Sequence, residues 1–318
     1  APAATPSVWG PAGAGAGYDV DAFARDAANF ARETGKPLVV AAPQAPIAER
    51  FKSHGLVAFP TEGQAVQALG QYLTHIELMA QVRARALRLP QPPVAIGETQ
   101  LLDEADSLAL LARHGVPVVT HRLCASEEEA IRAFELMASP KVVVKGCTAQ
   151  ASHKSELGLV RLGITDTEGL REAWQGIQRA AADADVALRG VIVAEQASGQ
   201  RELMVGARLD PVFGPVVLVG DGGKYVEALP DVQVLLAPFA PEQVEAALRR
   251  LRIAPLLEGV RGEPPLDIAA FCEAVVAVGQ LVSDPAAGIG QLDINPVMVG
   301  ARGKGCVALD AVIYQRKA

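Results

Sequence analysis

Lys145 closes an apolar run, Val142 to Val144, and six small or polar residues later come Ser152, His153, Lys154 and Ser155. An ammonium is costly to bury without a partner, and a buried imidazole must stay neutral or find one. Lys145 has two readings: a point charge for nucleotide phosphates, or a lysine snorkelling at a strand end. His153 can serve as a nucleophile or proton carrier near neutral pH, with Lys154 beside it. The same residues also suit an ordinary polar surface loop. "GDGGKYVE", Gly220 to Glu227, follows a second apolar run. Its glycines either let backbone N–H groups approach an anion or turn a tight hairpin. Near the end of the chain, "QLDINPV" and "VALDAVI" put Asp293, Asn295 and Asp310 inside β-type apolar runs. These oxygens need a partner if buried. A hard cation such as Mg²⁺, held together with phosphate, would supply one, and turn-forming Asp and Asn-Pro are the alternative.

The elements that must position these groups follow from hydrophobic period and punctuation. In the first part, helices are expected over Val20–Thr34, Pro46–Ser53 and from Thr61 to about Met79, with short strands at "KPLVVAA" and "LVAFP" between them. Helices alternating with short buried strands predict a parallel sheet, though two strands make only part of a doubly wound domain. A linker is expected over residues 80–98, where "RLPQPPVAIGE" carries three prolines. The N-terminal "GAGAG", Gly13 to Gly17, fails the Rossmann spacing and reads as an extended arm. The larger part begins with a helix from Leu101 to His114, stopped by Gly115, and a second helix capped by Ser126 with Glu129 in the capping-box position. Strands are expected at "KVVVK", "LVRLGI", "GVIVAEQ", "RELMVGARLD", "GPVVLVG" and "VQVLLAP", with helices at Asp166–Ala182, Glu242–Leu257 and Ala269–Val282. Helices before and after a run of strands predict an α+β class.

Composition bounds what such a protein does. Of 318 residues half are hydrophobic, a fifth charged and 4% aromatic, a globular balance with room for two or three cores. A net charge of −7 argues against wholesale binding to a nucleic-acid backbone. No apolar run approaches the ~18 residues needed to span a bilayer. The start has neither a basic nor an apolar signal region and lacks an initiator Met, which reads as a processed or truncated chain. The four cysteines form no CxxC pair or zinc pattern and read as free thiols of a reducing cytoplasm. There is no Walker A motif, so any phosphate is held by another device.

Taken in order, "LLARHGVPVV", "VVVKGCTAQASHKSELGLVRLG", "RELMVGARLDPVFGPVVLVGDGGKYVEALPDV", "LDINPV" and "VALDAV" resemble the ATP-grasp part of NDP-forming acyl-CoA synthetases, relatives of succinyl-CoA synthetase. The likeness spans roughly residues 96 to 318, and the domain itself is placed at 99–318. The segment from "GKPLVVAA" to "HGLVAFPTEGQAVQAL" resembles, less specifically, the end of a flavodoxin-like ligase domain, a partial domain placed at 1–79 with the N-terminal arm. The resemblance implies an ATP-grasp of two α+β subdomains and the reaction acid + CoA + ATP = acyl-CoA + ADP + phosphate. It implies that Lys145 contacts phosphates, that Glu195, Gln196 and Ala197 lie against the adenine, and that Glu202 with Gly222 and Gly223 faces the nucleotide. It gives Mg²⁺ to Asn295 and Asp310 with Asp293 and Glu227 nearby, and a phosphohistidine loop to His153 and Lys154. The chain departs from the family pattern at Leu159, Lys224 and Leu235. The family's CoA-binding domain and its Ser-His-Thr-Gly segment find no match here. CoA is therefore expected on a missing domain, in the same parent protein or a partner subunit, with the full enzyme a homo-oligomer. Two alternatives stand beside this reading: a non-catalytic nucleotide-binding regulatory module, and another ATP-grasp carboxylate ligase.

Overall fold

The computed structural model describes residues 19–84, 97–151, 154–223 and 228–317. His153, Lys224 and Glu227, the 13–17 segment and most of the expected linker lie outside the described residues. The chain divides into two compact units, residues 1–89 and 90–318.

In the first unit, α1 (Val20–Thr34) starts on Asp19, whose carboxylate accepts from the Ala22 amide, and stops at Gly35 with a positive φ of 64°. It is followed by β1 (Val39–Ala41), α2 (Ala45–Ser53), β2 (Val57–Phe59) and α3 (Glu62–Ala84). The two strands pair in parallel, as the alternation of elements requires. Ala24, Ala28, Phe51 and Leu56 form its small core. Helix α3 continues to Ala84, past the expected end at Met79 and into the expected linker.

The second unit holds β3 (Thr99–Leu101), α4 (Glu104–Arg113), β4 (His121–Cys124), α5 (Glu127–Glu135), β5 (Val142–Cys147), β6 (Val160–Ile164), α6 (Thr167–Asp183), β7 (Gly190–Glu195), β8 (Arg201–Asp210), β9 (Gly214–Asp221), β10 (Val232–Leu236), α7 (Pro241–Leu248), α8 (Ala254–Leu257), α9 (Ile268–Ser283), β11 (Ile289–Val299), β12 (Cys306–Ala308) and β13 (Val312–Arg316). Four strands form a smaller sheet in the order β4-β7-β5-β6. Seven form a larger one, β10-β9-β8-β11-β13-β3, with β12 paired to β11. This is the expected α+β class with two subdomains.

Each sheet buries one face under helices. On the small sheet, Val142, Val144, Val191 and Val193 pack against Leu170, Ala173 and Ile177 of α6. Leu159, one of the departures from the family pattern, is fully buried in that core. On the large sheet, Leu203, Val205, Val217, Val219, Leu292 and Ile294 meet Phe271, Val275 and Val278 of α9. The period of 2 along β8, β9 and β11 then turns the alternate residues, among them Met204, Gly206, Leu218, Gln291 and Asp293, to the opposite face. That face carries the cavity described below.

Three expectations are corrected. Leu101 belongs to strand β3 and not to the helix, which starts at Glu104 after its Asp103 cap. The single helix expected over 242–257 is two, α7 and α8, separated by residues 249–253, where the Asp231 carboxylate accepts from the amides of Arg252 and Ile253. The apolar run "VALDAVI" is not one strand: Leu309, Asp310 and Ala311 lie between β12 and β13. Asp310 is therefore a loop residue, while Asp293 and Asn295 are strand residues of β11.

Candidate active site

Lys145 lies in β5, whose six residues are all buried. Its ammonium does not snorkel. It donates to Glu104 Oε1 at 2.7 Å and to the Leu309 carbonyl at 2.9 Å, and lies 3.7 Å from Asp310 Oδ2. Lys154, also buried, donates to Glu104 Oε2 and to Asp310 Oδ1 at 3.4 Å. Two ammonium groups from the small-sheet subdomain thus meet two carboxylates, one from α4 and one from the β12–β13 loop. Two positive and two negative charges balance, which a cluster this dry requires. Burial alone would lower the Lys154 ammonium, but the neighbouring Glu104 and Asp310 carboxylates outweigh it and hold it above the usual lysine value.

Asp310 also opens onto a cavity of about 600 Å³. Lys154, Ser155, Asp293, Asn295, Arg208 and Tyr314 are among the groups around it. Burial pushes the Asp293 carboxyl above its ordinary value, and the negative charge of Asp310 adds to the effect. A carboxyl made costly to ionise by burial, with a second carboxylate in the same cavity, is a place where a divalent cation would be stabilising. Among the described residues no three His, Cys, Asp or Glu side chains gather as a metal cage. The protein offers two carboxylates and the Asn295 amide. That suits Mg²⁺, which commonly takes one or two carboxylates and fills its octahedron with water and phosphate oxygens.

The Gly-rich turn stands next to this set. Gly223, at φ 82°, donates its amide to Asn295 Oδ1 at 2.9 Å. Asn295 retains a second lone pair on that oxygen. Gly222 donates to the Glu202 carbonyl at 3.1 Å, and a Cβ on Gly223 would come 2.2 Å from Glu202 Oε2. Glu202, Gly222, Gly223 and Asn295 are therefore one contact group. A Cβ on Gly222 would sit 2.6 Å from the Leu203 carbonyl carbon, a backbone atom that cannot rotate away. Gly222→Ala is expected to move the turn, to cost about 1–3 kcal/mol of stability as overpacking does, and to weaken nucleotide binding. Denaturant melts and calorimetry check this, and an unaltered binding constant would refute it.

The Glu195 side chain accepts from the Ala138 amide at 2.9 Å, and Gln196 Oε1 accepts from Gly163 at 2.8 Å. Those groups brace the end of β7 against its own subdomain. With Ala197 they lie outside the residues that line the cavity, as do Lys145, Glu202, Gly222 and Gly223, which join it through Asp310 and Asn295.

Glu104 is the residue that sequence reading missed. It is an acidic residue in the first turn of a helix, a position that ordinarily reads as a partner for the helix dipole. Its place is fixed by Asp103, which caps α4 by accepting from the Asp106 amide at 2.9 Å and pairs with Arg189 at 2.6 Å. Burial raises the Asp103 carboxyl, but the Arg189 hydrogen bond and the Asp106 amide outweigh it, and the net value is lowered. A carboxyl lowered on folding contributes stability above its unfolded pKa and loses it as the pH falls through its folded value. Asp103→Ala is expected to cost about 0.5–2 kcal/mol for the cap alone at pH 7. The difference from wild type should shrink on acidification below pH 4, near the ordinary carboxylate value. Urea melts at two pH values test it; equal losses at both would contradict the assignment.

A two-sheet α+β unit that brings lysines and carboxylates together beside one cavity, with a Gly-rich turn bonded to Asn295 on its wall, has the layout of a nucleotide-grasping fold. Residues 94–314 match the model of the ATP-grasp domain, and the chain belongs to that family, within the branch of ADP-forming acyl-CoA synthetases. It is 32% identical over 234 residues to the beta subunit of acetate–CoA ligase (ADP-forming) II of Pyrococcus furiosus, covering 73% of this chain and 98% of that one. It is 37% identical over 212 residues to 4-hydroxybutyrate–CoA ligase (ADP-forming) of Nitrosopumilus maritimus, covering 66% of this chain but only 30% of that protein. Among solved structures it is similar to the dinucleotide forming acetyl-coenzyme A synthetase 1 of Ca. Korarchaeum cryptofilum in complex with coenzyme A and Mg-AMPPCP, whose phosphohistidine segment points towards the nucleotide binding site. There the TM-score is 0.58 at 31% identity, over 68% of this chain and 93% of that one. Among the described residues no helix is long and apolar enough to cross a membrane.

Proposed function

We propose that this chain is the nucleotide-handling part of an ADP-forming acyl-CoA synthetase, moving a phosphoryl group between ATP or ADP and an enzyme histidine during acid + CoA + ATP = acyl-CoA + ADP + phosphate. The observation that carries the reading is the meeting of Lys145 and Lys154 with Asp310 beside Asp293 and Asn295 at one cavity. Phosphoryl transfer asks a protein mainly for position and charge neutralisation. The two ammonium groups supply fixed positive charge for the phosphates. Asp293, Asn295 and Asp310 would hold Mg²⁺, which when bound neutralises phosphate charge and orients the oxygens. His153, next to Lys154 in sequence, is the candidate phosphoryl carrier within this chain. CoA and the acid belong in this reading to other domains of the same parent protein or a partner subunit. The four cysteines are buried free thiols, which suits a reducing compartment such as the cytoplasm.

The test supplies the chain with the CoA-binding and ligase parts of its parent, a panel of acids, CoA and Mg·ATP. ADP and acyl-CoA are expected in equal amounts, with acid-labile phosphate trapped on histidine and reduced in His153→Ala. Nucleotide binding without ADP formation for any acid would overturn the enzymatic reading in favour of a non-catalytic module.

A further inference from the structure

The two carboxylates of the charged cluster are not equivalent. The side chain of Glu104 is 1% exposed and that of Asp310 29%. Glu104 gives one oxygen to each ammonium, Oε1 to Lys145 and Oε2 to Lys154. Asp310 reaches both only at 3.4 Å and 3.7 Å, and it alone of the two lines the cavity. A carboxylate so far removed from water has only its two lysine partners to offset the cost of burial, so it does not leave them. Asp310 faces solvent and can exchange the lysines for another cation at little cost. Helix α4 holds Glu104 in place: its first turn is capped by Asp103, and Arg189, the residue before β7, bonds both Asp103 at 2.6 Å and Asp106 at 2.8 Å. The backbone that sets Glu104 is thus tied to the sheet that carries Lys145.

We propose that Glu104 is a positioning residue for the polyphosphate of the nucleotide: it holds the Lys145 and Lys154 ammonium groups as a pair at fixed spacing while Asp310 serves as their exchangeable partner. This rests on the nucleotide-binding reading of the same cavity. With Glu104 in place, an arriving phosphate meets two donors already aimed and replaces only the loose Asp310 contacts. Without it, two desolvated ammonium groups repel each other beside a single, partly exposed carboxylate and move apart. The loss then falls on the phosphates and leaves the nucleoside untouched.

The experiment compares ATP with Mg²⁺, adenosine, and inorganic tripolyphosphate as probes of the whole chain and of Glu104→Gln, which keeps the shape and removes the charge. At least a tenfold loss of affinity for Mg·ATP and for tripolyphosphate is expected, with adenosine affinity, read by saturation-transfer NMR, within twofold of wild type. An unchanged ratio of ATP to adenosine affinity, or an equal loss of both, would overturn the proposal, the second because it is what a merely structural role produces. If Glu104→Gln does not fold, Lys154→Met is compared with the charge-balanced pair Glu104→Gln and Lys154→Met. A further several-fold loss for tripolyphosphate, acting through Lys145, is expected in the pair, and equal affinities would overturn the proposal. A wild-type chain that binds none of the probes removes the nucleotide reading and this one with it. Wild-type binding with no selective loss in the variants removes this one alone.

Discussion

Lys145→Met weakens ATP binding by roughly ten- to hundred-fold, the equivalent of the about 1.5–3 kcal/mol that a charge-assisted hydrogen bond contributes. The methionine keeps the length of the stem within β5 and removes only the ammonium. Glu104 keeps Lys154 as a partner, so the cluster loses the two ion pairs of Lys145 without leaving a bare buried carboxylate. The melting temperature falls, and affinity is therefore measured by calorimetry well below both melts. Affinity within twofold of wild type would mean that Lys145 is solely an internal partner for Glu104 and contacts no phosphate.

Asp310→Asn removes the dependence of nucleotide binding on Mg²⁺ and leaves the fold intact. The substitution takes a charge from the loop and not from a strand, and both lysines keep Glu104. It also relieves Asp293 of a like charge. The set then falls from two carboxylates and an amide to one carboxylate and two amides, and binding in Mg²⁺ is expected to fall to the level seen in EDTA. The same enhancement by Mg²⁺ in Asp310→Asn as in wild type would place the cation on other residues.

Much of this site is legible in the chain itself, for a physical reason. A lysine at the end of a fully apolar run, and acidic or amide groups inside strand-like runs, are costly unless something neutralises them, and that cost marks Lys145, Asp293, Asn295 and Asp310. The helices with strong caps are equally readable, α1 from Asp19 to Gly35 and α6 from its Asp166 cap. Glu104 is not, because nothing local separates a buried first-turn glutamate from the many exposed ones; only the packing of α4 against β5 and the β12–β13 loop does. Nor could β3 and β4 be read: the equally short β1 and β2 stand out as continuous apolar runs, whereas Thr99–Leu101 and His121–Cys124 are mixed polar and apolar with no such run. The roles implied for Glu195 and Gln196 carried over from the family pattern, and here local hydrogen bonds take up their side chains. Asp310 stands out as a residue, but the apolar residues on both sides of it continue the pattern of β12 into β13 and hide the loop that carries it.

Titration of ATP into the whole chain, once with Mg²⁺ and once with EDTA, addresses the central claim most directly, since it asks whether the charged cavity of residues 97–317 takes a metal–nucleotide at all. One site per chain, an affinity at least tenfold greater with Mg²⁺ than with EDTA, and loss of that difference in Asp310→Asn are expected. Absence of binding, or binding indifferent to both the metal and Asp310, would contradict the assignment of this cavity to ATP.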